Sequence, residues 1–358
     1  MKEAYLYKKL TNKNVQCHNC AHFCVIAQGK RGVCGVRENI NGKLYALNYG
    51  KAIAVNIDPI EKKPFFHFLP GSYSLSIATV GCNLKCANCQ NWDISQAPKI
   101  QNTKYPDFIE DSRQSRNTIQ DTKIWGEDLS PEKIVEMAIE NNLPSISYTY
   151  TEPTIFIEYA LDTMKIAKKK GLKNVWVSNG FMSPESAELV IPYLDANNID
   201  IKSFSEDFYR ENCGARLQPV LDTAKLMKKS GVWVEITTLA IPTLSDSEEM
   251  FKNIAKFIYE ELGPETPWHI SQFSGAISWK LQHLPETPVG TLEMAYKIGK
   301  EIGLKYVYTG NVPGLPSEDT MCPKCGTLCI NRFSYSIKRL DKNGKCQKCG
   351  ASLDLILR

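Results

Sequence analysis

Residues 82 to 89 read CNLKCANC and place three cysteines, Cys82, Cys86 and Cys89, on one short segment. Three thiolates can bind three irons of a [4Fe–4S] cluster and leave the fourth iron open to an exogenous ligand. A structural zinc site uses four protein ligands, so the alternative is a zinc site completed by a distant residue such as His67 or Cys34. The spacing, in the turn after a predicted strand, favours the iron–sulfur cluster.

Two further pairs of cysteines lie near the C-terminus, in the segments CPKCG and CQKCG. This spacing is typical of a zinc ribbon, in which four thiolates close the coordination shell of a structural zinc. The predicted zinc ligands are Cys322, Cys325, Cys346 and Cys349. We interpret Cys329 as a packing residue of this module, and the isolated Cys213 as a small buried residue rather than a substrate-facing hydrogen-atom donor.

A third group of cysteines lies near the N-terminus, together with two histidines. These residues are Cys17, Cys20, Cys24 and Cys34, with His18 and His22 among them. Zinc and a second iron–sulfur cluster are both compatible with these donors. The pattern therefore predicts a metal site and leaves open which metal it holds.

The composition is that of a soluble globular protein, with 43% hydrophobic and 23% charged residues and a net charge of +4. So modest a charge argues against a polybasic nucleic-acid-binding protein. The sequence shows neither a signal peptide nor an apolar run of membrane-spanning length, so we expect a cytoplasmic protein. Disulfides are rare in that compartment, which favours metal binding by the 13 cysteines.

Short segments rich in β-branched and aromatic residues alternate with helical patterns in the middle of the chain. The predicted strands are 72–79, 144–151, 173–179, 198–204, 232–241, 267–273 and 305–311. Predicted helices begin at Pro131 and cover 154–170, 184–193, 218–230, 246–262 and 291–302. This alternation predicts a parallel sheet with its chemistry at the carboxyl ends of the strands. Periodicity alone does not distinguish a barrel from an open sheet.

Three regions follow from these patterns. We expect a cysteine-rich extension over residues 1–70, a βα core over 71–315 and a zinc-ribbon module over 316–358. Residues 94–129 are polar and lack a sustained period, which predicts a long loop or lid after the three cysteines.

The three-cysteine segment at the end of a first βα strand resembles the radical SAM superfamily. Members of that family bind S-adenosylmethionine (SAM) at the open iron and cleave it reductively to a 5′-deoxyadenosyl radical. In YTYTEPT, the residues Tyr150, Thr151 and Glu152 stand where the family's GGE segment holds the methionine amino group, although both glycines are replaced. The resemblance implies that Glu152 faces the ammonium of SAM. The alternative is that Glu152 caps the helix after Pro153.

Two more predicted strands carry motifs similar to those of pyruvate formate-lyase activating enzyme. VSNGF contains Ser178 and Asn179 but lacks the aspartate that precedes them in that enzyme, and DIK places Asp200 and Lys202 on one face of a strand. The resemblance implies that these residues, and His269 on the sixth strand, lie near SAM. The alternatives are an exposed ion pair on the DIK strand and a hydrogen-bonded core histidine.

Motifs along nearly the whole chain resemble the radical SAM component of the AmmeMemoRadiSam system, including CHNCAHFC, GCNLKCANCQNWDIS, YTYTEPTIFIEYA and YTGNVPG. The resemblance implies an α/β fold with a partial (β/α)6 TIM-like barrel. It also implies a flavodoxin or ferredoxin as electron donor, Memo-like and AMMECR1-like partners, and a protein or peptidic substrate. The alternatives are radical modification of a small metabolite and a zinc-binding scaffold without catalysis.

Overall fold

The computed structural model describes residues 1–99, 124–312 and 314–357 of the 358-residue chain. The first part of the chain forms short strands in small antiparallel sheets. They are β1 (Lys2–Glu3), β2 (Tyr7–Lys9), β3 (Val15–Cys17), β4 (Val25–Ile26), β5 (Arg37–Ile40), β6 (Lys43–Ala46) and β7 (Lys51–Ala52). Strand β6 lies between β1 and β5, and β3 lies between β2 and β4.

Eight longer strands form the central sheet. They are β8 (Ala54–Pro59), β9 (Tyr73–Ala78), β11 (Ser145–Tyr148), β12 (Lys173–Ser178), β13 (Ala196–Asp200), β14 (Trp233–Ala240), β15 (Trp268–Gln272) and β16 (Val307–Gly310). The two-residue β10 (Glu127–Asp128) pairs with β7 instead. The sheet order is β16–β15–β14–β13–β12–β11–β9–β8, with β8 antiparallel to β9 and all other pairs parallel. All seven predicted strands are confirmed, and β8 is an addition to them.

Helices connect the parallel strands. They are α1 (Trp92–Ser95), α2 (Pro131–Glu140), α3 (Ile157–Lys169), α4 (Pro184–Val190), α5 (Glu206–Phe208), α6 (Gln218–Lys229), α7 (Glu248–Phe257) and α8 (Val289–Ile302). Ser130 caps α2 by accepting a hydrogen bond from the Lys133 N–H at 3.2 Å, as the Ser-Pro start predicted. The predicted helices are therefore confirmed to within a few residues at their ends.

The two faces of the central sheet are covered differently. On one face, Trp176 and Ile236 belong to the main apolar core together with the helices. On the other face, residues 60–69 cross the sheet, and Phe65 and Phe68 of this covering segment pack against Val175 of β12. The covering segment and β8 both come from the predicted extension, so its boundary at residue 70 stays a prediction. Within the described ranges β8 and β16 are the two unpaired edges, and a barrel-like curvature also stays a prediction.

The last part of the chain forms a small sheet of β17 (Thr320–Met321), β18 (Leu328–Phe333) and β19 (Ser336–Arg339). This module contacts the covering segment at several points. Arg332 donates to the Phe66 carbonyl oxygen at 2.9 Å, and the Ile356 N–H donates to the His67 carbonyl oxygen at 2.8 Å. The C-terminal module is therefore attached to the sheet through residues 60–69.

Most of the predicted lid, residues 100–123, lies outside the described residues. In the described part of the chain, each helix is too short or too polar to cross a bilayer.

Candidate active site

The three-cysteine loop, residues 82–89, begins just after β9, at the carboxyl edge of the parallel strands. Gly81 at its start has a φ of 99°, and a side chain there would approach Val36 Cγ1 to 2.7 Å and the Cys34 carbonyl oxygen to 3.0 Å. Only glycine fits such a conformation and so close a contact. Cys82 is thereby placed directly against the N-terminal segment.

Hydrogen-bond donors point at the sulfurs of this loop. The Leu84 N–H donates to Cys82 Sγ at 3.4 Å, the Asn179 side-chain amide lies 3.8 Å from the same sulfur, and Ser95 Oγ lies 3.4 Å from Cys89 Sγ. Burial raises the pKa of the Cys82 and Cys89 thiols. The metal-free loop therefore holds protonated thiols, which must release protons when they bind a metal.

The sulfurs of the three-cysteine loop do not converge on one point. Across residues 1–99, 124–312 and 314–357, one group of three or more His, Cys, Asp or Glu ligand atoms lies within 4.8 Å of one another, and it is the C-terminal set of cysteines. Thiolates bound to one zinc at 2.3 Å stand about 3.8 Å apart in a tetrahedron. A cluster instead spreads its thiolates over different irons. Among the described residues, the three sulfurs of the loop are therefore not gathered as those of the C-terminal set are.

A fourth cysteine lies beside the loop. The N–H groups of Lys85 and Ala87 donate to the carbonyl oxygens of Cys213 (2.9 Å) and Asn212 (3.0 Å). The Cys213 thiol is fully buried and hydrogen-bonds Cys86. Sequence reasoning missed this contact, because the two cysteines are far apart in the chain and share no motif.

The turn after β11 has an unusual backbone conformation. Tyr150 has a φ of 63°, a region that glycine adopts easily and a tyrosine rarely. Its hydroxyl donates to Asp58, and Lys63 Nζ lies 4.1 Å from its ring centroid. Asn91, just after the three-cysteine loop, donates to the Tyr150 carbonyl oxygen at 2.8 Å. Tyr150 thus holds a conformation that favours glycine, and its contacts are with residues that sequence reasoning did not single out.

Thr151 and Glu152 complete this turn. Thr151 Oγ1 donates to the Thr79 carbonyl oxygen at 2.9 Å. Glu152 is fully buried, and its Oε1 accepts from Thr154 N (3.0 Å), Thr154 Oγ1 (2.6 Å) and Ser178 Oγ (2.9 Å). Burial raises the pKa of its carboxyl, because the hydrogen bonds offset only part of the desolvation. This geometry matches the capping alternative, and a contact between Glu152 and the SAM ammonium stays a prediction.

Ser178 and Asn179, at the end of β12, connect Glu152 to the three-cysteine loop. The Asn179 N–H donates to Glu152 Oε2 at 2.8 Å. The Asn179 side-chain amide donates to Asn83 Oδ1, also at 2.8 Å. The structure thus brings the predicted residues of two neighbouring strands together next to Cys82.

Asp200 and Lys202 form an ion pair at the end of β13, with Lys202 Nζ 2.8 Å from Asp200 Oδ2. Burial lowers the pKa of the Lys202 ammonium, but the negative charge of Asp200 outweighs it and raises the pKa well above its ordinary value. The lysine therefore keeps its charge beside the three-cysteine loop. Only 15% of its side chain is exposed, which argues against the alternative of a pair facing solvent.

His269 on β15 has its partners within the protein. Its Nε2 lies 2.7 Å from Oε2 of the fully buried Glu235, and its ring stacks on Tyr308 with centroids 5.3 Å apart. Glu235 also accepts from the N–H groups of Phe66 (3.0 Å) and His67 (2.9 Å) in the covering segment. This arrangement matches the alternative of a hydrogen-bonded core histidine, and a contact with SAM stays a prediction.

A cavity of about 240 Å³ opens at the carboxyl ends of β15 and β16. Its lining includes His269 and Ser271 from β15, Lys62 and Phe66 from the covering segment, and Tyr335 from the C-terminal module. This volume lies just below the range of about 300–1,000 Å³ that is typical of small-molecule binding sites.

The predicted zinc ligands come together, as their spacing indicated. Cys322 Sγ lies 3.5 Å from Cys349 Sγ, and Cys325 Sγ lies 3.6 Å from Cys346 Sγ. These separations are close to the edge of a zinc–thiolate tetrahedron, about 3.8 Å. The C-terminal cysteines therefore form a metal-binding site in geometry as well as in spacing.

The N-terminal cysteines line a separate cavity, which all four of Cys17, Cys20, Cys24 and Cys34 border. Their sulfurs are not gathered as those of the C-terminal set are.

Comparisons with known proteins agree with this geometry. The model of the radical SAM superfamily matches residues 76–258. An uncharacterized protein of Methanocaldococcus jannaschii is 46% identical over 360 residues, which cover 100% of both chains. The pyruvate formate-lyase-activating enzyme of Clostridium pasteurianum is 21% identical over 187 residues, 50% of this chain and 66% of that enzyme. The 7-carboxy-7-deazaguanine synthase of Thermococcus kodakarensis is 22% identical over 210 residues, 56% of this chain and 78% of that enzyme.

The match over residues 76–258 begins in β9 and ends beyond α7, so it contains the three-cysteine loop, the turn at Tyr150 and the ends of β12 and β13. It covers 183 of the 358 residues. Family membership implies a [4Fe–4S] cluster and SAM, and the three thiols of the loop are a donor set that suits three irons of such a cluster. The chain belongs to the radical SAM superfamily.

Proposed function

We propose that this protein is a radical SAM oxidoreductase in which Cys82, Cys86 and Cys89 hold a [4Fe–4S] cluster with one iron open to SAM. The observation that carries this proposal is the three-cysteine loop, whose sulfurs lie at the carboxyl edge of the sheet without gathering around a single ion. The cluster and SAM, when bound, supply a 5′-deoxyadenosyl radical by one-electron reductive cleavage. A zinc-binding scaffold without catalysis is less well supported, because a structural zinc site uses four ligands and the loop supplies three.

The residues around the loop offer groups of both signs to the methionine end of SAM, which carries an ammonium and a carboxylate. Lys202 keeps its positive charge next to Cys86 and suits the carboxylate. The backbone carbonyl groups of Tyr150 and Thr151 suit the ammonium. In this proposal Glu152 orients that turn through its bonds to Ser178 and Asn179, and His269 borders the cavity in which the rest of SAM or the substrate binds.

Anaerobic reconstitution tests the proposal. The wild-type protein should acquire the brown absorbance of a [4Fe–4S] cluster and release 5′-deoxyadenosine from SAM when dithionite is added. Cys86→Ala should lose the product and the iron of this cluster. Cys213→Ala, a matched change at the neighbouring buried thiol, should retain both. Product release by Cys86→Ala, or its absence from the wild type, would contradict the assignment.

We propose a protein or peptidic substrate. The similarity to a pyruvate formate-lyase-activating enzyme supports this class. The test uses an extract from cells grown on deuterated medium, separated into macromolecular and small-molecule fractions. Deuterium should enter 5′-deoxyadenosine only with the macromolecular fraction, because hydrogen abstraction transfers the label from the substrate.

Radical modification of a small metabolite is the second candidate. Two observations favour it: the similarity to 7-carboxy-7-deazaguanine synthase and the cavity of about 240 Å³ beside His269. The same experiment distinguishes the two classes, since a metabolite substrate would transfer deuterium only from the small-molecule fraction.

The motif resemblance supports a further assignment to the AmmeMemoRadiSam system, with Memo-like and AMMECR1-like proteins as partners and a flavodoxin or ferredoxin as electron donor. The C-terminal cysteines would hold a structural zinc. Reduced cofactors of this kind suit the cytoplasm, where we place the protein.

A further inference from the structure

We propose that the side chain of Tyr150 positions SAM, because its hydrogen bond to Asp58 holds the turn after β11 in a conformation that a tyrosine otherwise avoids. On the basis of the proposed function, the carbonyl groups of Tyr150 and Thr151 face the ammonium of SAM, so the shape of this turn determines where SAM binds. Asp58 and Lys63 then act on SAM through Tyr150, without touching SAM. Both lie in β8 or the covering segment, outside the residues 76–258 that the family model matches.

The turn at Tyr150 is a γ-turn. The Thr151 N–H donates to the Thr149 carbonyl oxygen at 2.8 Å, and Tyr150 between them has a φ of 63°. A γ-turn with a positive φ is rare and strained, and glycine is the residue that adopts it easily. Such a conformation persists only where surrounding contacts hold it. The contacts of the tyrosine side chain must therefore offset the strain.

The Tyr150 hydroxyl reaches the edge strand β8. It donates to Asp58 Oδ2 and accepts from Asn56 Nδ2 at 3.2 Å. Lys62 Nζ lies 2.8 Å from Asp58 Oδ1, and Lys63 Nζ lies 2.7 Å from Asp58 Oδ2. Burial raises the pKa of the Asp58 carboxyl, but the hydrogen bonds to it outweigh burial and hold the pKa below its usual range. Asp58 is therefore a charged and fixed acceptor for the tyrosine hydroxyl.

Lys63 contacts the ring of Tyr150 as well as the carboxylate of Asp58. Its Nζ lies 4.1 Å from the ring centroid, a distance at which a cation is attracted to an aromatic face. Only 3% of the Lys63 side chain is exposed, so salt and water screen this contact weakly. The tyrosine side chain is therefore held at both its ring and its hydroxyl.

The backbone of the same turn is bonded to the cluster side of the site. Asn91, just after the three-cysteine loop, donates to the Tyr150 carbonyl oxygen at 2.8 Å, and Thr151 Oγ1 donates to the Thr79 carbonyl oxygen at 2.9 Å. A carbonyl oxygen has two lone pairs, so Asn91 leaves one of them for an ammonium. A shift of the turn therefore changes where this carbonyl group stands relative to the loop.

Calorimetric titration of SAM into the anaerobically reconstituted protein tests the role of the hydroxyl. Tyr150→Phe keeps the ring but not the bond to Asp58, and it should raise the dissociation constant of SAM about tenfold. Tyr148→Phe is the matched control, because the buried Tyr148 hydroxyl donates to Asn174 Oδ1 on β12 at 3.1 Å and not to β8. The control should bind SAM as the wild type does. Equal SAM affinities of the two variants would overturn the proposal.

Glycine and alanine at position 150 separate the backbone strain from the side-chain contacts. Neither residue reaches Asp58, but glycine adopts a positive φ freely and alanine does not. Tyr150→Gly should therefore bind SAM about tenfold more tightly than Tyr150→Ala, and both should bind it more weakly than the wild type. Equal binding by these two variants, or wild-type affinity in either one, would overturn the proposal.

A double-mutant cycle tests whether Asp58 acts through the tyrosine. Asp58→Asn removes the charge that the hydroxyl binds, so it should also weaken SAM binding. Combined with Tyr150→Phe it should weaken binding no further, because both changes break the same hydrogen bond. Additive losses would overturn the proposal. A wild-type protein that binds no SAM would instead contradict the proposed function, so the two failures are distinguishable.

Discussion

Replacing Glu152 by glutamine should destabilise the protein by about 2 kcal/mol, whether or not SAM is present. Oε2 of Glu152 accepts one bond, from the Asn179 N–H, and Oε1 accepts the other three. The glutamine amide keeps an acceptor at Oε1 but turns its NH₂ group toward the Asn179 N–H. One buried donor is then left without a partner, at a cost of about 1–3 kcal/mol.

Replacing Glu152 by alanine should lower the free energy of unfolding by more than replacing it by glutamine does. Both backbone donors, Thr154 N–H and Asn179 N–H, lose their acceptor, whereas the hydroxyls of Thr154 and Ser178 can rotate to other partners. Two orphaned donors give a loss of about 4 kcal/mol. Thr154→Val, which removes a single hydroxyl donor from an oxygen with two other partners, is the control and should cost less than about 1 kcal/mol.

The assay is urea unfolding of the anaerobic, metal-loaded protein, combined with calorimetric titration of SAM. The loss in the free energy of unfolding should be largest for Glu152→Ala, smaller for Glu152→Gln and smallest for the Thr154→Val control. A Glu152→Gln protein as stable as the wild type, with weakened SAM binding alone, would refute the capping account and support the direct contact with the ammonium.

Two further predictions concern parts of the chain away from the loop. The Cys346→Ser variant should lose the C-terminal zinc but no iron. Residues 316–358 should then become sensitive to protease, because zinc contributes roughly 10 kcal/mol to the folding of such modules. Retained zinc would contradict the ligand assignment. Burial lowers the pKa of His67 to about 4. As the pH falls, this histidine is therefore protonated in the unfolded chain at a higher pH than in the folded protein. Between pH 7 and pH 5 the free energy of unfolding of the wild type should fall by about 2 kcal/mol more than that of His67→Gln. The reason is that the pKa of His67 is about 6.5 in the unfolded chain and about 4 in the folded protein. Urea unfolding at both pH values measures this, and equal losses would contradict it.

The parallel strands and the helices were predictable because their signals are local. Each strand is a short run of β-branched and aromatic residues, and Ser130 with Pro131 marks the start of α2 by its own chemistry. The covering segment was not predictable, because Phe65 and Phe68 meet the sheet through contacts that no periodicity records. For the same reason β8 was taken as part of an extension.

In the candidate site, too, some features were predictable from local sequence and others were not. The gathering of the four C-terminal cysteines and the position of the three-cysteine loop after β9 could be predicted from spacing, since each set lies on one or two short segments. The contacts of Glu152 and His269 depend on Asn179 and Glu235, which lie on neighbouring strands. Sequence motifs therefore indicated which residues gather at the carboxyl edge, whereas their hydrogen-bond partners required the structure.

The central claim is that one iron of the cluster on Cys82, Cys86 and Cys89 is reserved for SAM. Electron–nuclear double resonance of the reduced protein, with SAM labelled at its amino nitrogen and carboxylate oxygens, tests this directly. The triple variant Cys82→Ala/Cys86→Ala/Cys89→Ala, which has no thiols for this cluster, supplies the background. The account predicts couplings from both labels in the wild type and in Cys213→Ala, and none in the triple variant. Absence of coupling in the wild type, with its appearance only when Cys213 is removed, would show that this fourth thiol closes the site and would contradict the account.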